Sequence, residues 1–482
     1  MKILFALHGY PPELMGGTES TVRAQARALV ARGHEVVVVA GSMNWKEQFE
    51  TSEDTDTDPT SGKSYPVYRI HRNDLYFDHW QKSASPKASR AFRDILRSEK
   101  PDLVHVQHWI RLSRDLVATA AREGIPSVVT LHDLWTTCLL TFRVRPGADA
   151  LCEEKLGLSP CVRCAGEIPP KTPWVSAEAG AIAFVERMQE VSRELELARA
   201  IVTPSHAHAS AIEGFLNRPA GSLEADVIPP GRELDLGVTI GSGLRGEHSS
   251  LEAPAEPGGK LVLGAWGHLD PIKGLDLVLE AIAQLDDPTR VTLHLAGGEV
   301  NPDYACRLHE LAKGLDVHFH GPFEVSELGS HPVAQVHAMV SGSRAHESWG
   351  LVLDEAWHLG LPALLPNRGA FTERLVGERG GLLYESSSAS SLSSAIARLL
   401  DESPLLSQLR ASIPPVSEIA PTLDQMVERL EAVYTKALAV SPPDAPEDQS
   451  LQDMVRARAL EEWDKSLSRR SAAELGFEET PS

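Results

Sequence analysis

The chain has 482 residues, 42% hydrophobic and 23% charged, which suits about two to three packed domains. Its 46 basic and 67 acidic residues leave a net charge of −21. That balance excludes a general nucleic-acid binder, which needs a basic face, yet permits a local cationic pocket.

The apolar opening, Met1–Leu7, is too short before His8 for a secretory leader and reads as a buried strand of a cytoplasmic protein. No apolar run reaches the roughly 18 residues of a membrane span. Short apolar runs alternate with amphipathic segments, the pattern of a parallel sheet covered by helices. Strands are expected at Ile3–Leu7, Val36–Ala40, Leu103–Gln107, Ser127–Leu131, Ile201–Thr203 and Asp226–Ile228. A second series is expected at Leu261–Ala265, Val291–Ala296, Val317–His320, Val336–Val340 and Ala363–Leu365. Two series imply two Rossmann-like domains in tandem. Glu50 to Ser64, polar and without periodicity, reads as a mobile loop.

The first strand runs into a loop ending Gly16-Gly17-Thr18, where backbone can approach a ligand and Thr18 reads as a helix N-cap. A Gly-x-Gly-x-x-Gly fingerprint is absent. Two later strands end in His108 and in His132-Asp133, at carboxyl edges where a ligand crevice forms. Lys82, Lys87, Arg90, Arg93, Arg97 and Lys100 surround Phe92, Ile95 and Leu96. This segment reads first as a solvated amphipathic helix, and second as a peripheral membrane contact. Four of the five cysteines, Cys138, Cys152, Cys161 and Cys164, lie close together. The last two form Cys-x-x-Cys, so a structural zinc site is expected, with an iron–sulfur cluster or free thiols as alternatives.

In the second series, Gly267-His268-Leu-Asp-Pro-Ile-Lys273-Gly274 follows a strand and precedes a helix, with Asp276 as its expected cap. Lysine there suits a diphosphate, supplying fixed charge where a phosphate leaves. Further on, Glu347 precedes a turn at Gly350, and Glu355 is expected to open a helix over Asp354–Leu359. A helix start aims amide groups at an anion, while two carboxylates accept bonds from sugar hydroxyls.

Together these residues resemble the family 4 glycosyltransferases, retaining enzymes of the GT-B fold. The resemblance runs from Met1 to about Leu400 and rests on motifs in a fixed order. These are Gly16-Gly17, Arg32-Gly-His-Glu-Val36, Pro101-Asp-Leu-Val-His105, Thr203-Pro-Ser205, Ile228-Pro-Pro-Gly231, Gly267–Gly274, Ala296-Gly-Gly298, the glutamate pair and Gly360-Leu-Pro362. The resemblance implies an acceptor-side domain over 1–236, with a Cys-rich insertion at 136–190. It implies a linker over 237–259, a nucleotide-sugar domain over 260–422, a helix over 423–440 packing back on the first domain, and an acidic tail over 441–482. Lys273 would bind the donor diphosphate with the amides of Leu351 and Val352. Glu355 would hold the ribose, Glu347 would lie near the donor sugar, and His132 would touch that sugar. Gly16 and Gly17 would frame the cleft, and the loop after His320-Gly321 the base.

The implied reaction moves a sugar from a nucleotide diphosphate sugar to a glycan or lipid-linked acceptor, without a metal at the reacting centre. The four-cysteine insertion looks like a subgroup feature linked with surface polysaccharide synthesis. One departure stands out: His268 occupies the place of a family arginine. A neutral histidine stabilises a leaving group less than arginine. Slower chemistry, compensation by an arginine such as Arg232, and a degenerate binding-only homologue are the three readings of that change. An epimerase or phosphorylase on the same fold fits the motif set less well.

Overall fold

A computed structural model describes residues 1–44, 46–73, 80–145, 151–167, 177–231, 259–402 and 404–440. Most of the expected linker, the acidic tail and Arg232 lie outside the described residues. The first domain holds strands β1 (Lys2–Leu7), β2 (Glu35–Gly41), β3 (Glu50–Thr57), β4 (Ser64–His71), β5 (Leu103–Val106), β6 (Ser127–Thr130), β7 (Ala200–Thr203) and β8 (Asp226–Val227). They form one sheet in the order β3-β4-β2-β1-β5-β6-β7-β8. Ile3 to Leu7 are fully buried, as expected of a parallel strand covered on both faces.

The second domain holds β9 (Leu261–Trp266), β10 (Val291–Ala296), β11 (Asp316–Phe319), β12 (Ala338–Val340), β13 (Ala363–Pro366) and β14 (Gly381–Tyr384). These run parallel in the order β11-β10-β9-β12-β13-β14. The direction of winding reverses between β1 and β5 in the first sheet and between β9 and β12 in the second. Loops leaving the carboxyl ends of those four strands therefore open a crevice in each domain.

The helix Leu423–Leu438 lies against the first domain. Its Met426, Val427, Leu430, Val433 and Tyr434 share a core with Ile3, Phe5, Val22, Ala26 and Leu29. Trimming one such buried Leu to Ala typically costs about 2–5 kcal/mol. The Tyr434 hydroxyl also meets Nδ1 of the buried His105, at 2.8 Å.

Several local expectations are corrected. Glu50–Ser64 is only in part a loop: Glu50–Thr57 form β3, which pairs antiparallel with β4 along its whole length, and 58–63 turn between the two strands. The outward residues of β3 are acids and threonines, the composition of a protected edge, and apolar alternation is therefore missing. Asp56 anchors it, accepting bonds from Arg23 at 2.8 Å, Arg27 at 2.8 Å and Tyr65 at 2.8 Å. Burial alone would raise the Asp56 pKa; the two arginines more than offset that and hold it low. The first helix spans Gly17–Ala31 with Gly16 as its cap, so Thr18 sits inside the first turn. The helix after Lys273 is Leu275–Ala283, capped by Gly274, and Asp276 is a buried first-turn acid.

Candidate active site

The β9–β12 reversal sets Lys273 against the glutamate segment. Gly274 follows the lysine at φ +59, and a Cβ there would lie 1.9 Å from the Gly342 carbonyl oxygen. The same distance separates a Cβ at Gly342 from the Gly274 oxygen, so the two loops touch backbone to backbone and neither position accepts a side chain. Across this contact Lys273 Nζ stands 3.4 Å from Glu347 Oε1, which also accepts the Ser343 hydroxyl at 2.8 Å. A second close approach fixes the glutamate's own backbone. Gly369, at φ +60, would place a Cβ 2.4 Å from the Glu347 carbonyl oxygen.

The following helix is Leu351–His358, capped by Gly350. It begins three residues earlier than expected, so Leu351 and Val352 form its first turn and Glu355 lies inside it. First-turn amides have no intrahelical acceptor and point at whatever sits before the helix. Glu355 is 6% exposed, and its Oε2 accepts the indole N–H of Trp266, the last residue of β9, at 2.8 Å. Arg374 braces the turn, bonding the Trp349 and Gly350 carbonyls and Asp354. His268 is exposed at the tip of the loop after β9.

The first domain contributes a polar cluster at its own reversal. His8, just after β1, pairs with Glu19 at 2.6 Å, and its ring lies 4.6 Å from that of His108. His108 bonds Asp133 at 3.1 Å. His132 Nε2 meets Gln107 Oε1 at 2.6 Å, so that nitrogen carries the proton and donates it. Burial, partly offset by Asp133, pushes the His132 pKa down to about 4, so the ring is neutral at pH 7 and Nδ1 is an acceptor.

The two halves meet. A Cβ on Gly17 would lie 3.1 Å from Leu351 Cδ1, which places the Gly16-Gly17 loop at the helix start. The Ala207 amide donates to Glu373 at 2.7 Å, and the rings of His208 and His346 lie 5.8 Å apart. Gly16, Gly17, Lys273, Glu347, Leu351, Val352 and Glu355 thus line one region. His132 stands on the facing domain, and His268 stays at the rim. Sequence reading missed the supports: Ser343, Trp266, Gln107 and the Arg344–Asp276 pair, which is bidentate at 2.8 and 3.0 Å and buried. Arg344 lies inside the glutamate segment, but its partner is 68 positions away and gives no local signal.

Comparison with known proteins bears on this geometry. Residues 15–236 match the model described as Glycosyltransferase Family 4, and residues 249–413 match that of Glycosyl transferases group 1. Over 15–236 and 249–413 the chain is thus similar to glycosyltransferases. A D-inositol 3-phosphate glycosyltransferase of Corynebacterium jeikeium is 30% identical over 199 residues, 39% of this chain and 46% of that protein. One from Stackebrandtia nassauensis is 24% identical over 416 residues, covering 82% of this chain and 81% of its own. The first of these matches therefore spans less than half of the relative's length. Among solved structures, a sucrose-phosphate synthase from Thermosynechococcus elongatus aligns with a TM-score of 0.63 at 18% identity, over 92% of this chain and 100% of its own. Anabaena HepE, crystallised with UDP, aligns at 0.58 and 16%, over 90% and 100%. The fold is GT-B.

The structure also bears on the cysteines and on the basic helix. No group of three or more His, Cys, Asp or Glu side chains among the described residues is arranged to hold an ion, so the structure does not support the expected zinc site. Cys161 and Cys164 ride on the helix Leu158–Glu167, while the bridge between Val144 and Leu151 folds Cys152 toward Arg145, which donates to its sulfur at 3.3 Å. None of the four is in a disulfide, and burial pushes the Cys138 and Cys164 thiols up. The membrane reading also loses its apolar face. Phe92, Ile95 and Leu96 on the helix Pro86–Glu99 pack into the first domain's core. No helix among the described residues is long and apolar enough to cross a membrane.

Proposed function

We propose that the protein transfers a sugar from a nucleotide diphosphate sugar to a glycan or lipid-linked acceptor, with retention at the anomeric carbon. The observation that carries this reading is the Lys273–Glu347 pair at the second sheet's reversal, facing the Gly16-Gly17 loop of the other domain. Lys273 and the amides of Leu351 and Val352 take the diphosphate and oppose its growing charge as it leaves. Glu355, already oriented by Trp266, accepts the ribose hydroxyls. Glu347, held on one oxygen by Lys273 and Ser343, receives the donor sugar. His132 offers Nδ1 to a sugar hydroxyl. No covalent enzyme nucleophile is invoked.

HepE was crystallised with UDP, in keeping with a nucleoside diphosphate as the donor's leaving group, its base framed by the loop after His320-Gly321. Surface polysaccharide or glycoconjugate synthesis in the cytoplasm is the setting proposed. The test is product stereochemistry. Proton NMR of the transferred sugar is expected to show the donor's anomeric configuration; the opposite configuration contradicts retention.

A further inference from the structure

Away from the donor site, the first domain holds a cavity of about 270 Å³ between the helices Pro86–Glu99 and Ala177–Leu197 and the loop after β5. Five arginines line it: Arg90, Arg93, Arg114, Arg122 and Arg193. In a chain of net charge −21 such a concentration of cations needs a cause.

The carboxylates in the cavity account for only part of it. Asp115 accepts the Ser89 and Ser113 hydroxyls, each at 2.6 Å. Glu190 is taken by the buried Arg114. Glu194 accepts the Trp109 indole N–H at 2.8 Å and the amides of Val117 and Ala118 at 2.7 and 2.8 Å. Burial raises its pKa to about 8, so it is largely neutral at pH 7. Arg90, Arg93, Arg122 and Arg193 make no ion pair among the described residues, and Arg93 Nε is buried without a hydrogen-bond partner. Five arginines against three carboxylates leave the lining positive, with Arg93 half-buried and Arg90, Arg122 and Arg193 exposed at its mouth; such guanidinium groups suit a multiply charged anion, and phosphoryl oxygens match their fork geometry. The cavity is also tied to the cleft, because Trp109, which bonds Glu194, directly follows His108.

We propose that this pocket is a second anion site, which takes a phosphoryl or pyrophosphoryl group carried by the acceptor. The assignment to the acceptor rests on the transferase reading; the anion site itself does not. The test uses full-length protein carrying Lys273→Ala, which removes the donor-side cation. Titration calorimetry with inorganic pyrophosphate at low salt is expected to show one site. Adding Arg93→Gln and Arg193→Gln is expected to weaken it at least about tenfold, which is about 1.4 kcal/mol, with the melting temperature unchanged because neither arginine supports an ion pair. Lysines at both positions keep the charge without the fork and are expected to recover only part of the affinity. Equal binding with and without the glutamines overturns the site. Tighter binding of farnesyl pyrophosphate than of inorganic pyrophosphate marks a lipid-linked source, and equal binding a soluble one. Pyrophosphate binding by the Lys273→Ala protein, together with no donor turnover by the wild type, would sink the transferase reading alone.

Discussion

Lys273 and Ser343 converge on one oxygen of Glu347, at 3.4 and 2.8 Å. The lysine is 39% exposed, so this pair contributes little to folding, at most about 1 kcal/mol. Its worth is positional. Lys273→Ala and Glu347→Ala are each expected to lower kcat/KM by at least about a hundredfold, in the range of losing one stabiliser of developing charge, with little change in melting temperature. Steady-state kinetics beside thermal denaturation separates the two effects.

Asp276 and Arg344 behave in the opposite way. They are 1% and 4% exposed at their side chains, with Tyr304 and Arg307 also on the acid. Arg344→Met removes the bidentate partner of a buried carboxylate, leaving it Tyr304 and the exposed Arg307, and is expected to cost toward the lower end of about 3–5 kcal/mol. Urea denaturation reads it; a cost below about 1 kcal/mol contradicts the role given to this pair.

His268 sits where the resemblance implies an arginine. His268→Arg adds a permanent charge at the rim of the diphosphate region and is expected to tighten nucleoside diphosphate binding by roughly tenfold. Calorimetry checks it. No gain means that another cation already fills that role.

Stability is expected to fall on acidification. Burial pushes His105 and His208 to about 3 and His132 and His346 to about 4. Unfolded histidine titrates near 6.5, so below that pH the unfolded chain binds more protons and stability drops. Each such histidine contributes about 1.4 kcal/mol per pH unit. Glu194 has the opposite sign, since its raised pKa stabilises the fold less as pH climbs from its unfolded value toward about 8. It offsets one of the four. The net loss therefore runs downward from about pH 6.5, and melting temperatures between pH 7 and 5 test it.

The thiols predict an insensitivity. EDTA is expected to leave the melting temperature unchanged, and metal analysis to find no stoichiometric zinc. A large drop with chelator would restore the four-cysteine metal centre.

What could be read from the sequence follows from locality. Buried strands such as β1 and β9 announce themselves as apolar runs, and the Lys273 and Glu347 segments carry their chemistry within a few residues. β3 was hidden because an edge strand needs no apolar face, and its anchor, Asp56, draws on Arg23 and Arg27 from a different element. The start of the helix at Leu351 was misplaced because Gly350 caps it through backbone geometry, without a capping side chain. Cysteine spacing shows which thiols could meet, but not the turn that carries Cys152 to Arg145.

The central claim is that this cleft turns over a nucleotide sugar through Glu347. The most direct measurement incubates the purified protein with a panel of nucleotide diphosphate sugars and candidate acceptors, and follows nucleoside diphosphate release by mass spectrometry beside Glu347→Ala. The account predicts release from one donor, abolished in the variant. Release that is equally fast in the variant, or none from any donor together with no thermal stabilisation by one, contradicts it.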